Sequence, residues 1–142
     1  MANILLAEDD EALASFLVKS LKRAGHRVTF ARDGIEAYEK ILSTNYDLLL
    51  TDLAMPGMDG IDLVKKSREH LTNLRVMFIT GFSAVAIEEN LHETEIISKP
   101  FHLKELTERI EAMLKNDLDN LSKTIEEKIQ NNTIETSSDI DK

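Results

Sequence analysis

The chain has 142 residues, 42% of them hydrophobic, and a formal net charge of −9, which suits a single core and disfavours nucleic acid as a direct partner. It contains no cysteine, which excludes disulfides, thiolate nucleophiles and cysteine zinc sites and fits a reducing cytoplasm. No apolar run comes near the roughly eighteen residues of a membrane span, and no basic, apolar leader opens the chain, so neither insertion nor export is expected.

In chain order, short apolar runs alternate with segments of helical spacing. NILLA (Asn3–Ala7) has the length of a buried strand. EALASFLVKSLKRAG follows, with Leu13, Phe16, Leu17 and Leu21 predicted on one buried face, Lys19, Lys22 and Arg23 opposite, and Gly25 as the C-terminal stop. RVTFA (Arg27–Ala31) is the second strand, and DGIEAYEKILS the second helix, with Ile35, Tyr38, Ile41 and Leu42 inward. YDLLLT (46–51) is the third strand, and GIDLVKKSREHL the third helix, with Ile61, Val64 and Leu71 inward. RVMFIT (75–80), a short helix AVAIEENL (84–91) and EIIS (95–98) come next. A fifth helix begins near His102 and carries Leu103, Leu106, Ile110 and Met113. Five repeats of strand then helix predict an α/β fold, a doubly wound five-stranded parallel sheet with right-handed crossovers and helices on both faces.

Sheets of this kind place ligand chemistry beyond the carboxyl ends of their strands, where the strand order reverses. Those ends are chemically rich here. Glu8, Asp9 and Asp10 follow the first strand, Asp52 the third, Thr80 and Gly81 the fourth, and Lys99 and Pro100 the fifth. Crowded carboxylates repel and shift upward in pKa unless a cation joins them. With no cysteine and no histidine at these ends, the donors are hard oxygens, which suits Mg²⁺ completed by a phosphate. Lys99 then reads as a counter-charge for an anion, Thr80 as a hydrogen-bond donor to it, and Asp52 as a carboxylate nucleophile that forms an acyl phosphate.

In ILLAEDDE, DLLLTDLAMPGMDG, MFITG and ISKPF, in this order and spacing over residues 2–116, the chain resembles the receiver domains of bacterial two-component response regulators. The resemblance implies the flavodoxin-like strand order 2-1-3-4-5, phosphorylation of Asp52, and Mg²⁺ held by Asp9, Asp52 and the backbone carbonyl of Ala54, with Glu8 helping through water. It implies that Thr80 and Lys99 contact the phosphoryl group, that the Lys99–Pro100 bond is cis, and that a histidine kinase or histidine phosphotransferase is the phosphodonor. More narrowly, ARDG, TDLAMPGMDGIDL, VMFITGFSAVAI and SKPFHL look like the single-domain cell-cycle regulators of the CpdR type in alphaproteobacteria. That likeness implies that the unphosphorylated protein engages the ClpX unfoldase of the ClpXP protease and that phosphorylation turns this off. Phe82, Val85, Phe101 and His102, beside Thr80 and Lys99, are the residues expected to feel the phosphate and touch that partner.

One position departs from the family pattern: Ile96 stands where most receivers carry Tyr or Phe, so the usual aromatic rotamer switch cannot operate in its usual form. The signal is expected to leave through Thr80 and the loop 81–84. A second departure is the acidic LHETE before strand five. Asp10 either caps the first helix or joins the acids, and Asp59 and Gly60 read as a turn and a helix cap. Residues 117–142 carry seven acids and three bases. Leu114, Leu118, Leu121, Ile125 and Ile129 keep helical spacing, which extends the fifth helix over 117–130 either as a docking or dimer stripe or as a frayed extension. Residues 131–142 have the polarity of a disordered tail. A monomer or weak dimer, cytoplasmic, without membrane or nucleic-acid contact, is expected. The chain is then no enzyme but a stand-alone phosphoacceptor that switches protein contacts. Two rivals share the chemistry or the topology. An aspartyl-phosphate phosphatase needs a second acid two positions after its nucleophile followed by Thr or Val, an arrangement AEDDEAL lacks. A flavin or nucleotide carrier needs a glycine-rich loop after strand one.

Overall fold

The computed structural model describes residues 2–81 and 94–115. In chain order the elements are β1 (Asn3–Ala7), α1 (Glu11–Arg23), β2 (Arg27–Ala31), α2 (Gly34–Ser43), β3 (Leu48–Asp52), α3 (Gly60–Arg68), β4 (Val76–Thr80) and β5 (Thr94–Ser98), and residues 103–115 are helical. The five strands form one parallel sheet in the order β2-β1-β3-β4-β5. The expected helix 84–91, with Phe82 and Val85, and the expected extension and tail beyond residue 116 lie outside the described residues. By internal contacts the chain divides into Met1–Thr107, which holds the whole sheet, and Glu108–Lys142.

Each of the first three helices starts the same way. Asp10, Asp33 and Asp59 adopt extended backbone and accept from the backbone N–H three residues on, at 3.2 Å from Leu13, 2.8 Å from Glu36 and 2.8 Å from Asp62. Each satisfies one of the orphan donors at its helix end. This resolves Asp10 as a cap. α1 ends at Arg23 and is capped by Ala24, and the chain then turns at Gly25, whose φ of 98° is readily adopted only without a Cβ.

Strand alternation splits the apolar residues between the two faces. Leu5, Ala7, Ala31, Leu49, Val76 and Phe78 share a core with Ala37 and Ile41 of α2 and Leu63 and Val64 of α3. Ile4, Leu6, Leu48, Leu50, Met77 and Ile79 point the other way and are fully buried, as are Leu17 and Leu21 of α1. Three of the residues expected to face inward do not: Phe16, Ile35 and Leu42 are each about half exposed, at 52%, 51% and 52%. They sit at the margins of their stripes, where the small residues Ala14 and Ala37 let each helix lie close to the sheet and leave its flank in solvent. β3 also runs later than expected, over Leu48–Asp52, so Asp52 is itself the last residue of the strand.

Candidate phosphoacceptor site

The chain goes from β1 out to β2 and then crosses back to β3, so the strand order reverses between β1 and β3. Asp52 ends β3 and is buried, at 8% exposure. Glu8 follows β1 directly. Its N–H continues the ladder one step, donating to the Ala31 carbonyl at 3.1 Å, and this draws the Glu8 side chain fully inside. Asp9, the next residue, is exposed. One carboxylate oxygen from each of Glu8, Asp9 and Asp52 lies within 4.8 Å of the others.

Lys99, the residue after β5, brings the cation. Its Nζ lies 3.1 Å from Asp52 Oδ2 and 3.6 Å from Glu8 Oε1. The Lys99 N–H donates to the Thr80 carbonyl at 2.7 Å, which ties the ends of β4 and β5 together, and the Lys99–Pro100 bond is cis. Thr80 ends β4, fully buried. Ala54 meets Asp52 through its N–H, 3.4 Å from Oδ1. Phe101 is partly buried and His102 exposed. Ile96 is partly buried against the core shared by α2 and α3.

The electrostatics follow from this crowding. Three carboxylates face one ammonium, so the cluster stands at −2 when every group is ionised. Glu8 bears most of the cost. Neither of its oxygens accepts an ordinary hydrogen bond from the described residues. Burial above all, then the Asp52 carboxylate beside it, push its pKa up to about 7, against the weaker downward pull of Lys99 and the Asp10 backbone. Burial pulls the Lys99 ammonium down, but its bond to Asp52 and the charges of Glu8 and Asp52 outweigh this and leave it raised.

Sequence reasoning placed Gly60 in a turn and cap but missed how closely it and Gly34 pack against the loop after β3. A Cβ on Gly60 would collide with the carbonyl oxygen of Asp52, and the Gly60 N–H donates to the Leu53 carbonyl at 2.7 Å. Gly34 is pressed in the same way against the carbonyl of Met58. The signal was present in the repeated Asp-Gly pairs at 33–34 and 59–60, where glycine follows a capping aspartate although helix propensity disfavours it. Gly60→Ala should therefore destabilise the fold by about 2 kcal/mol. The urea midpoint should fall accordingly, and an unchanged midpoint would show that the loop yields freely.

Among family models, that of the response regulator receiver domain matches residues 4–111. The response regulator receiver protein CpdR of Brucella abortus is 47% identical over 117 residues, which take in 80% of this chain and 98% of that protein. Relatives at lower identity are longer, and the chain spans 51% of one that is 38% identical. Two of the similar solved structures show the extent of the likeness. The receiver domain of the Francisella response regulator 1452 has a TM-score of 0.74 and 31% identity, covering 82% of this chain and 99% of that one. The response regulator TrrA of Thermotoga maritima, in complex with Mg²⁺ and BeF, has a TM-score of 0.73 and 27% identity, covering 80% and 99%.

Proposed function

Because the chain belongs to the response regulator receiver family, we propose that it is a phosphorylation switch in a two-component phosphorelay, with Asp52 as the phosphoacceptor. The observation that carries this reading is the convergence at the end of β3, where buried Asp52 is bonded to Lys99 at 3.1 Å inside an over-charged carboxylate cluster. An Asp52 oxygen attacks the phosphorus of a phosphohistidine, the P–N bond breaks, and the imidazole of the kinase or phosphotransferase leaves. Lys99 is placed to hold the charge of the phosphoryl oxygens, and the Thr80 hydroxyl to donate to one of them once the buried end of β4 adjusts.

The residues present fit Mg²⁺: the donors are all hard oxygens, the cluster carries the charge a divalent ion would balance, and Glu8 has buried acceptors with no ordinary hydrogen bond. Asp9, Asp52 and the Ala54 carbonyl would hold the ion, with Glu8 acting through water. Bound there, Mg²⁺ supplies charge neutralisation for the transferring phosphoryl group. TrrA, with its Mg²⁺ and BeF, is a precedent among similar structures.

The chain's own chemistry ends with the acyl phosphate, so it regulates rather than turns over a substrate. We assign the switch to residues 2–116, working in the cytoplasm beside its phosphodonor. No helix of the described residues is long and apolar enough to cross a membrane. The likeness to CpdR supports a more specific output, control of ClpXP-dependent proteolysis by the unphosphorylated form.

Two measurements test these readings. Incubation with a small phosphodonor and Mg²⁺ should add the mass of one phosphoryl group, mapped to Asp52 in the intact chain. Catalytic consumption of the donor without a stable adduct would favour a phosphatase instead. Immobilised ClpX should then retain the free protein and release the phosphorylated one, because a partner responds only through its differential affinity for the two states. Equal retention of both forms would remove the protease reading and leave the phosphoacceptor in place.

A further inference from the structure

The loop that leaves Asp52 is wedged against the start of α2. At one end, the Ala54 N–H points at Asp52 Oδ1 from 3.4 Å, and Gly60 lies against the Asp52 carbonyl. At the other, the carbonyl oxygen of Met58 occupies the space a Cβ on Gly34 would need, with Met58 Cβ only 2.9 Å from that position. Ile35 Cδ1 stands 2.8 Å from where a Cβ on Gly57 would be, and Gly57 holds a φ of 79°. Backbone meets backbone at Gly34 and Gly60, and the Ile35 side chain meets backbone at Gly57, and contacts this close transmit displacement rather than damp it.

The rest of the molecule gives this contact a role. On β5, Ile96 is a branched side chain packed partly into the core that α2 and α3 share. On α2, Ile35 and Leu42 are each about half exposed and lie seven residues apart, on one line of the helix surface. A phosphoryl group adds charge and three strong acceptor oxygens beside the loop's N–H groups. Any rearrangement of that loop meets Gly34 and Ile35 first.

We infer that the state of Asp52 is transmitted through the β3–α3 loop to the N-terminus of α2, with Ile35 as the coupling side chain and the outer face of α2 as the surface that changes. This rests on the reading of Asp52 as the phosphoacceptor, so the test must separate the two. Isoleucine-methyl NMR on the full chain, titrated with Mg²⁺ and beryllium fluoride, reports the route, and the ¹⁹F signal of bound fluoride reports loading of the site. The Ile35 methyl should shift on loading more than that of Ile41, which lies on the same helix but is buried at 3% exposure. In Ile35→Ala, loading should persist while the response of the α2 amides is roughly halved or less, since coupled contacts lose their interaction energy when one partner is truncated. Bound fluoride with an unmoved Ile35 methyl, or an Ile35→Ala variant whose α2 amides respond as in the parent, overturns the inference alone. No bound fluoride at saturating Mg²⁺ overturns the phosphoacceptor reading and this inference with it.

Discussion

Asp52→Ala should take up no phosphoryl group from a small phosphodonor under conditions that fully label the parent chain. The other two carboxylates of the cluster cannot stand in. Glu8 is completely buried and cannot meet a donor, and Asp9, although exposed, is not among the acids Lys99 contacts. The loss should be chemical and not a loss of fold. Removing one of three crowded carboxylates relieves repulsion, and Lys99 still has Glu8 at 3.6 Å. The lost Lys99 contact and the relieved repulsion oppose one another, so the net change in stability should be about 1 kcal/mol. Lys99→Ala separates the two halves of the site. It should still titrate with Mg²⁺, by the change in stability that binding confers, while labelling slows by about a hundredfold, the cost of losing a charge-stabilising donor. Undiminished labelling of Asp52→Ala would remove the central claim about this site.

How much of this was legible beforehand depends on whether a feature is local. The apolar runs fixed all five strands to within two residues; β1, β3 and β4 are buried on both faces and so are continuous in sequence, while the edge strands β2 and β5 are only partly buried. Local chemistry also sufficed to place Asp59 as a cap and Gly25 as a stop. Spacing brought Glu8, Asp9, Asp52, Thr80 and Lys99 to one edge of the sheet. Spacing could not say which acid of Glu8-Asp9-Asp10 turns inward. That is decided by one extra ladder bond from Glu8 to Ala31, a partner more than twenty residues away. Phe16, Ile35 and Leu42 show the same limit from the other side. A period of 3.6 says which residues share a stripe, while the width of the covered stripe depends on what the helix packs against. The closeness of Gly34 to Met58 and of Gly60 to Asp52 is likewise a through-space fact, hinted at only by glycine where a helix former was expected.

The stability of the metal-free protein should fall as pH rises from about 4.5 to about 7, and Glu8 is the cause. In the unfolded chain Glu8 ionises near 4.5; in the folded chain burial first, and Asp52 second, hold its proton until about 7. Across that window the folded state binds more protons than the unfolded state, so raising the pH favours unfolding. Below the window both states are protonated and the penalty is absent; above it the full penalty applies. A shift of this size corresponds to about 3 kcal/mol. Two controls attribute the effect. Glu8→Gln keeps the shape without the charge, so its stability should be nearly independent of pH over the window and should exceed the parent's at pH 7.5. Saturating Mg²⁺ should restore the parent at pH 7.5 and do much less for Glu8→Gln, whose cluster stands at −1 instead of −2. Chemical denaturation of the parent and Glu8→Gln at pH 4.5 and 7.5, each with and without Mg²⁺, reads all of these terms. If the parent loses no more stability than Glu8→Gln between the two pH values, the buried acid is stabilised by something other than a cation, and the case for metal at this site is lost.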